Sequence, residues 1–385
     1  MKKIWPFGFY FLYFAALSSF MPFIVLFYQE LKFSGTQIGL LTGIPPLITV
    51  FAGPFLANMA DATHRHRLVM SLGIAVAIAI TFVMPWLTSF VVIFLLVLVN
   101  NFFVSPVGAL ADSATISMLG EERELYGRIR LGGSIGWGVV APLAGLLVDN
   151  YGLKIAFWSF CMLMFINLLV AQKLAHPITE QAQSNPSGGI RYFLTSRRWI
   201  LFLLSAFLGG FGALSASSYL FPYMAEMGSS KSIMGVASFL AILTELPVFF
   251  FGNHLVKRFG SQGLFLLALM LLGIRSLFFA WASAPFAVLI VQGLGGMIFP
   301  AMWVAGVTYA DEQAPAGLKS TAQGLFGAVS FGFGSAMGGL IGGPLLESIG
   351  GRGMFLVFGL IILVGLSVVE ILKRILPREE VAPAI

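Results

Sequence analysis

Residues 107–137 read VGALADSATISMLGEERELYGRIRLGGSIGW. Two apolar arms flank a polar turn centred near Glu121, and each arm carries one charge, Asp112 or Arg130, nine residues from that centre. At about 1.5 Å of rise per residue both charges sit roughly 13 Å from the turn, at one depth on adjacent antiparallel helices. The arms continue to about residues 91 and 148, long enough for each helix to cross a bilayer. A charge at bilayer depth costs on the order of 3 kcal/mol or more, so it persists where it has a partner or a task.

The rest of the chain has the same character. Of its 385 residues 58% are hydrophobic and 10% charged, with a mean hydropathy of +0.93, well beyond what a water-soluble core requires. Apolar runs able to span roughly 30 Å as helices fall at about residues 7–28, 36–60, 68–85, 91–117, 131–148, 155–175, 200–223, 233–255, 263–282, 286–309, 321–346 and 354–372. Lys2 and Lys3 ahead of Ala15-Ala16-Leu17-Ser18 mimic a signal peptide, but the apolar run is too long for one and reads as the first helix. The expected fold class is all-α integral membrane, twelve transmembrane helices in two pseudo-symmetric six-helix bundles.

Charge sets the orientation. With the N-terminus in the cytoplasm, 16 of the 22 Lys/Arg fall on inner segments and four, Lys32, Lys154, Lys231 and Arg352, on outer ones. The positive-inside rule then puts both termini in the cytoplasm and the chain, multi-pass, in the inner (plasma) membrane. The net charge of +6 reflects this topology and is no nucleic-acid footprint. A single cysteine, Cys161, excludes an intrachain disulfide and a cysteine metal site, and is expected to pack. No nucleophile–base set, metal-ligand cluster or phosphate loop is present, so neither an enzyme nor a cofactor nor a bound metal is expected.

Residues 172–198 form the longest polar stretch, with Ser184-Asn185-Pro186-Ser187-Gly188-Gly189 and a basic end, Arg197-Arg198. They divide the chain into an N-terminal bundle (1–175), a cytoplasmic linker (176–198) and a C-terminal bundle (199–385). A weak repeat agrees: Pro106 matches Pro300, and Val148-Asp149-Asn150-Tyr151-Gly152 matches Leu346-Glu347-Ser348-Ile349-Gly350, at offsets of 194 to 198. Duplicated six-helix halves are a plan of secondary transporters, with the substrate site between the halves near mid-membrane. Helices five and eleven are rich in glycine, which permits close helix packing and sliding.

The hairpin centred near Gly260 repeats the charge pattern, with Glu245 and Arg275 each fifteen residues from the turn, roughly 22 Å deep. Each half thus offers one acid and one base, expected to pair. Such a pair can lock two helices, or bind solute and protons as a cavity opens and closes. None of the four histidines (His64, His66, His176, His254) lies at mid-membrane, so a proton path would rest on Asp112 and Glu245. Arginine suits bidentate capture of a carboxylate or of paired hydroxyls. Trp137, two turns beyond Arg130 on the same face, could stack on a sugar or aromatic ring, or simply face lipid. Tyr10, Tyr13, Asn100, Asn101, Ser217, Tyr219, Gln292, Gln323 and Ser330 are further polar groups within helices.

The run Tyr126-Gly127-Arg128-Ile129-Arg130-Leu131-Gly132-Gly133-Ser134-Ile135-Gly136-Trp137, with Asp112 upstream, resembles the lactose permease branch of the major facilitator superfamily. Lys257-Arg258-Phe259-Gly260-Ser261-Gln262-Gly263 followed by Arg275 is similar to the same branch, and Glu245 with Arg275 resembles its nucleoside:proton symporters and phenylpropionate permeases. The resemblance implies alternating access, with Asp112, Arg130 and Trp137 at substrate-binding positions and Glu245, Arg275 and Asp112 coupling protons. It also implies a gating loop at Asp61, Arg65 and Arg67, although the superfamily's glycine-flanked signature there is reduced to Asp61 and the basic tail. Gln292, Gly295 and Ile298 stand where the lactose permease has Lys, His and Glu. The expected function is proton-coupled import of a small organic solute (an aromatic acid, sugar or nucleoside) by a monomer in the lipid bilayer. Efflux of drugs or sugars by antiport is the alternative, Gly339-x-x-x-Gly343-Pro344 resembling an antiporter motif. A non-transporting receptor or lipid-moving protein is the second.

Overall fold

A computed structural model of the chain describes residues 3–175, 189–315 and 317–375. Most of the expected linker, 176–188, including His176, lies outside them. The described residues fold into long apolar helices: α1 (Ile4–Glu30), α2 (Gly35–Thr63), α3 (His66–Trp86), α4 (Phe90–Leu119), α5 (Arg123–Tyr151), α6 (Lys154–Ala171), α7 (Arg197–Glu226), α8 (Lys231–Phe259), α9 (Ser261–Trp281) and α10 (Pro285–Gln313). The segment Lys319–Ile375 follows as a single run of 57 residues, but Gly350 within it is non-helical, at φ 70° and ψ 174°. That positive φ favours glycine and divides the run into α11 (319–349) and α12 (351–375). Short turns reverse the chain between successive helices within each half. All termini of the described chain therefore lie on one side, the terminal face, and the turns after α1, α3, α5, α7, α9 and α11 lie on the far face.

Several helices reach past their apolar runs. The fifth begins at Arg123, not near residue 131, because Ile129 continues its buried stripe below Arg130. Part of the linker is helical too: Gly189–Thr195 forms a short helix whose Phe193 is buried edge-on against Trp199, ring centroids 4.5 Å apart.

Breaks fall where the residue chemistry demands them. Proline lacks the amide a helix needs and crowds the carbonyl four residues earlier. Accordingly, α1 has a 3₁₀ turn at Met21–Phe23 containing Pro22, and α4 is interrupted ahead of Pro106. Residues Ala328–Gly334 of α11 are π-helical, a local form that tends to mark functional places. There α11 presses on α7: a Cβ on Gly210 would collide with the Ser330 carbonyl, and one on Gly334 with the Phe207 carbonyl.

Three apolar cores show how the bundles meet. One is drawn from residues between Phe9 and Leu174, a second from residues between Phe193 and Leu366. The third joins both bundles at the far face, where Phe23 meets Phe221 at 5.0 Å and Leu41, Val148, Met234 and Leu346 share one cluster. The molecule is therefore closed at the far face, while toward the terminal face each bundle keeps its own core.

Candidate functional site

Asp112 of α4 and Arg130 of α5 are joined as hairpin counting predicts: Arg130 Nη1 donates to Asp112 Oδ1 at 3.2 Å. A third residue completes the cluster. The Tyr10 hydroxyl of α1 donates to the same carboxylate oxygen at 2.5 Å, and the guanidinium lies 5.3 Å from the Tyr10 ring centroid and 5.8 Å from that of Phe14. Glycines of α5 bring α1 this close. A Cβ on Gly132 would sit 2.9 Å from the Phe7 carbonyl oxygen, one on Gly133 would sit 2.6 Å from the Phe14 ring, and one on Gly136 would collide with the Phe11 carbonyl. The pair is not sealed in, since the Asp112 and Arg130 side chains keep 34% and 44% of their exposure. Trp137 lies two turns farther along α5, partly buried.

Glu245 and Arg275 do not meet, contrary to the symmetric expectation. Arg275 Nη2 donates to Gln292 Oε1 of α10 at 2.5 Å and its guanidinium lies 5.0 Å from the Phe279 ring centroid, while Nε is buried with no acceptor among the described residues. Glu245 has neither an ion pair nor a hydrogen bond among the described residues. The reason is an intervening helix. Gly295 of α10 receives the Arg275 side chain, and its neighbour Gly296 receives Thr244 and Ala241 of α8, so α10 packs on both where acid and base would have met. Counting along a hairpin addresses depth only; it leaves the direction around each helix undetermined.

In the turn between α2 and α3, His66 Nε2 donates to Asp61 Oδ1 at 2.6 Å, with His66 buried and Asp61 exposed. His64 turns the chain in a left-handed conformation, φ 53°. Arg67 donates to the Leu174 carbonyl at 3.3 Å, tying the turn to the end of α6, and Arg65 is exposed. Cys161 is buried against the Ile78 carbonyl. Sequence reasoning missed the roles of Tyr10, Gln292 and His66. For Tyr10 and Gln292 the available signal was a polar side chain inside an apolar helix. Among the described residues no group of three His, Cys, Asp or Glu is placed to hold a metal. Among the described residues, a cavity of about 450 Å³ lies beside Arg198, Lys257 and Tyr309 and one of about 470 Å³ on the apolar surface around Phe51 and Phe102.

The chain resembles known proteins over nearly all of its length. It is 29% identical to the maltose permease of Geobacillus stearothermophilus over 97% of this chain and 95% of the permease. It is 24% identical to the probable 3-phenylpropionic acid transporter of Escherichia coli, covering 92% and 93% of the two chains, and 24% identical to the putative nucleoside transporter YegT of Escherichia coli, covering 85% and 80%. The fold matches the crystal structure of nucleoside transporter NupG with a TM-score of 0.84 at 19% identity, over 97% of this chain and 99% of that one. It also matches a bacterial homologue of the lysosomal transporter Spinster in an inward-facing, unoccupied conformation, with a TM-score of 0.77 at 14% identity over 100% and 98%. The MFS_1 like family model aligns with residues 4–357. The long apolar helices, the bundles they form and this alignment lead to one assignment: the chain belongs to the MFS_1 like family, membrane transporters of the major facilitator fold and not enzymes.

Proposed function

We propose that this transporter imports a small organic solute together with protons by alternating access, and that the structure is its inward-open form. The observation that carries the reading is the Tyr10–Asp112–Arg130 cluster, a charged and partly exposed site on the side where the bundles are separate and beneath a far face that is closed. Lys/Arg distribution orients the terminal face to the cytoplasm of the inner (plasma) membrane. Residues 1–175 and 199–385 move as the two bodies, with 176–198 as the tether.

In this reading Asp112 and Arg130 grip hydroxyls or a carboxylate of the solute and Trp137 covers its flat face. A sugar is the first class to test, because the maltose permease is similar over the full length; nucleosides and aromatic acids follow, from the other relatives. Glu245, a membrane-depth carboxylate with no ion pair among the described residues, carries the proton, with Asp112 as its partner in the other bundle. Arg275, held by Gln292, is the cation that Glu245 can reach when the helices slide. Asp61, Arg65 and Arg67 form the gating loop, with Asp61 pinned by His66.

Uptake of radiolabelled maltose, uridine and 3-phenylpropionate into proteoliposomes tests this. An inwardly directed proton gradient should drive accumulation of one of them, and Glu245→Gln should abolish the pH dependence. Indifference to the gradient, or full coupling in Glu245→Gln, rejects proton import; accumulation only under the reversed gradient identifies an exporter.

A further inference from the structure

The far face is shut by two contacts of the same design. At the far end of α5, Asp149 accepts the Lys231 amide through Oδ1 and the Ser232 amide through Oδ2, both at 2.8 Å, and the Ser232 hydroxyl donates to it as well. These are the first amides of α8. At the far end of α11, Glu347 Oε2 accepts the Gly35 amide, the first of α2, at 2.8 Å. Each receiving helix opens with a serine cap that accepts an amide farther in, Ser34 from Gln37 and Ser230 from Ile233. The carboxylates take amides that the serines leave without an intrahelical partner.

A seam of small residues backs each contact. Gly145 lies against the Lys231 carbonyl and Gly235 on Ala141; Gly343 lies against the Gly35 carbonyl and Gly39 on Leu340. The two sets correspond through the internal repeat: Ser34 with Ser230 and Gly39 with Gly235 at an offset of 196, Gly145 with Gly343 and Asp149 with Glu347 at 198. In both, the acid comes from one bundle and the amides from the other.

We propose that Asp149 and Glu347 are gate residues, a duplicated pair of carboxylate latches that hold the far face shut and part when it opens. An anion at a helix N-terminus is favoured by the aligned peptide dipoles. Both carboxylates are exposed at the rim, so acid and amides rehydrate when they separate and the contact is reversible. Asp149 holds three donors and Glu347 one, which makes the α5–α8 latch the stronger. Glu226 supplies an internal comparison. It accepts the Gly351 amide at 2.8 Å at the start of α12, the same chemistry within a single bundle.

The inference rests on the alternating-access reading, but its test needs no substrate, so failure of transport and failure of the latch are separate results. Spin labels at Thr88→Cys and Ser283→Cys, exposed far-face positions on different bundles, in a Cys161→Ser background report the far-face distance by pulsed electron resonance in nanodiscs. The parent should give one narrow distance distribution. Asp149→Ala should lower the closed-to-open ratio roughly fivefold, Glu347→Ala less, and the double variant most. Asp149→Asn and Glu347→Gln, which keep one acceptor oxygen and the side-chain volume, should fall between and serve if the alanine variants do not fold. An unchanged distance distribution in these variants overturns the proposal, as does equal widening in Glu226→Ala.

Discussion

The Tyr10 hydroxyl reaches the carboxylate oxygen that Arg130 also grips. Tyr10→Phe removes that donor, and with it the hydroxyl's interactions with Thr115, Tyr126 and Arg130, while the buried ring keeps its edge-on contact with Phe9 and its place under the guanidinium. Solute affinity should fall about tenfold, the weight of one charge-assisted hydrogen bond, while the unfolding temperature stays close to the parent. Calorimetric titration together with thermal unfolding in detergent checks both; a large loss of stability with affinity intact would show Tyr10 to be only a packing residue. Gln292→Leu acts in the opposite sense. It leaves the Arg275 guanidinium without the acceptor it now has, on top of the Nε that already lacks one, and should destabilise the fold by about 2 kcal/mol. Gln292→Glu should recover most of it in the same unfolding measurement. The difference between the two charge pairs marks the limit of reading a site from sequence. Counting residues from a turn fixes depth along a helix, which sufficed for Asp112 and Arg130 on neighbouring helices. It is silent on azimuth and on a third helix, and so could not foresee Gln292 beside Arg275 or Tyr10 beside Asp112.

Helices were the most legible part of the chain, because a bilayer-spanning helix must be apolar along its length and few other structures share that pattern. What the pattern could not show was where helices bend. The Met21–Phe23 turn carries a visible proline, but the π-helical Ala328–Gly334 lies where the chain meets Gly210 of another element, a contact the sequence does not display. The short helix Gly189–Thr195 was hidden for a related reason: its helicity is supported by packing of Phe193 on Trp199. Glycines of α5 divide by the same logic into those that meet another helix and those that do not. Gly136→Val would drive a side chain into the Phe11 backbone, push α1 outward and carry Tyr10 away from Asp112. It should cost about 1–3 kcal/mol as an overpacked contact and abolish solute binding. Gly127→Ala, on the same helix with nothing within 4 Å of the added atom, should be neutral or stabilising by up to about 1 kcal/mol from helix propensity. Thermal unfolding of the two variants side by side separates a packing requirement from a general intolerance of α5 to substitution.

At the scale of the molecule, one core bridges the bundles at the far face and two separate cores lie toward the terminal face. Which face meets the cytoplasm decides whether the form described is open inward or outward, and the argument for it is electrostatic. Lys32, Lys154, Lys231 and Arg352 lie at the far-face ends of helices, whereas Arg65, Arg67, Arg123, Arg128, Lys257, Arg258 and Lys319 border the terminal face. Positive charge is retained on the cytoplasmic side during insertion, so the terminal face should be cytoplasmic. Native Cys161 is buried in α6 and will not react with a membrane-impermeant maleimide, which gives a clean background in intact cells. Thr88→Cys at the far face should be labelled from outside. Thr63→Cys, exposed at the end of α2 on the terminal face, should be labelled only after the membrane is permeabilised. The reverse pattern would invert the protein in the membrane, and the open site holding Asp112 and Arg130 would then face the exterior.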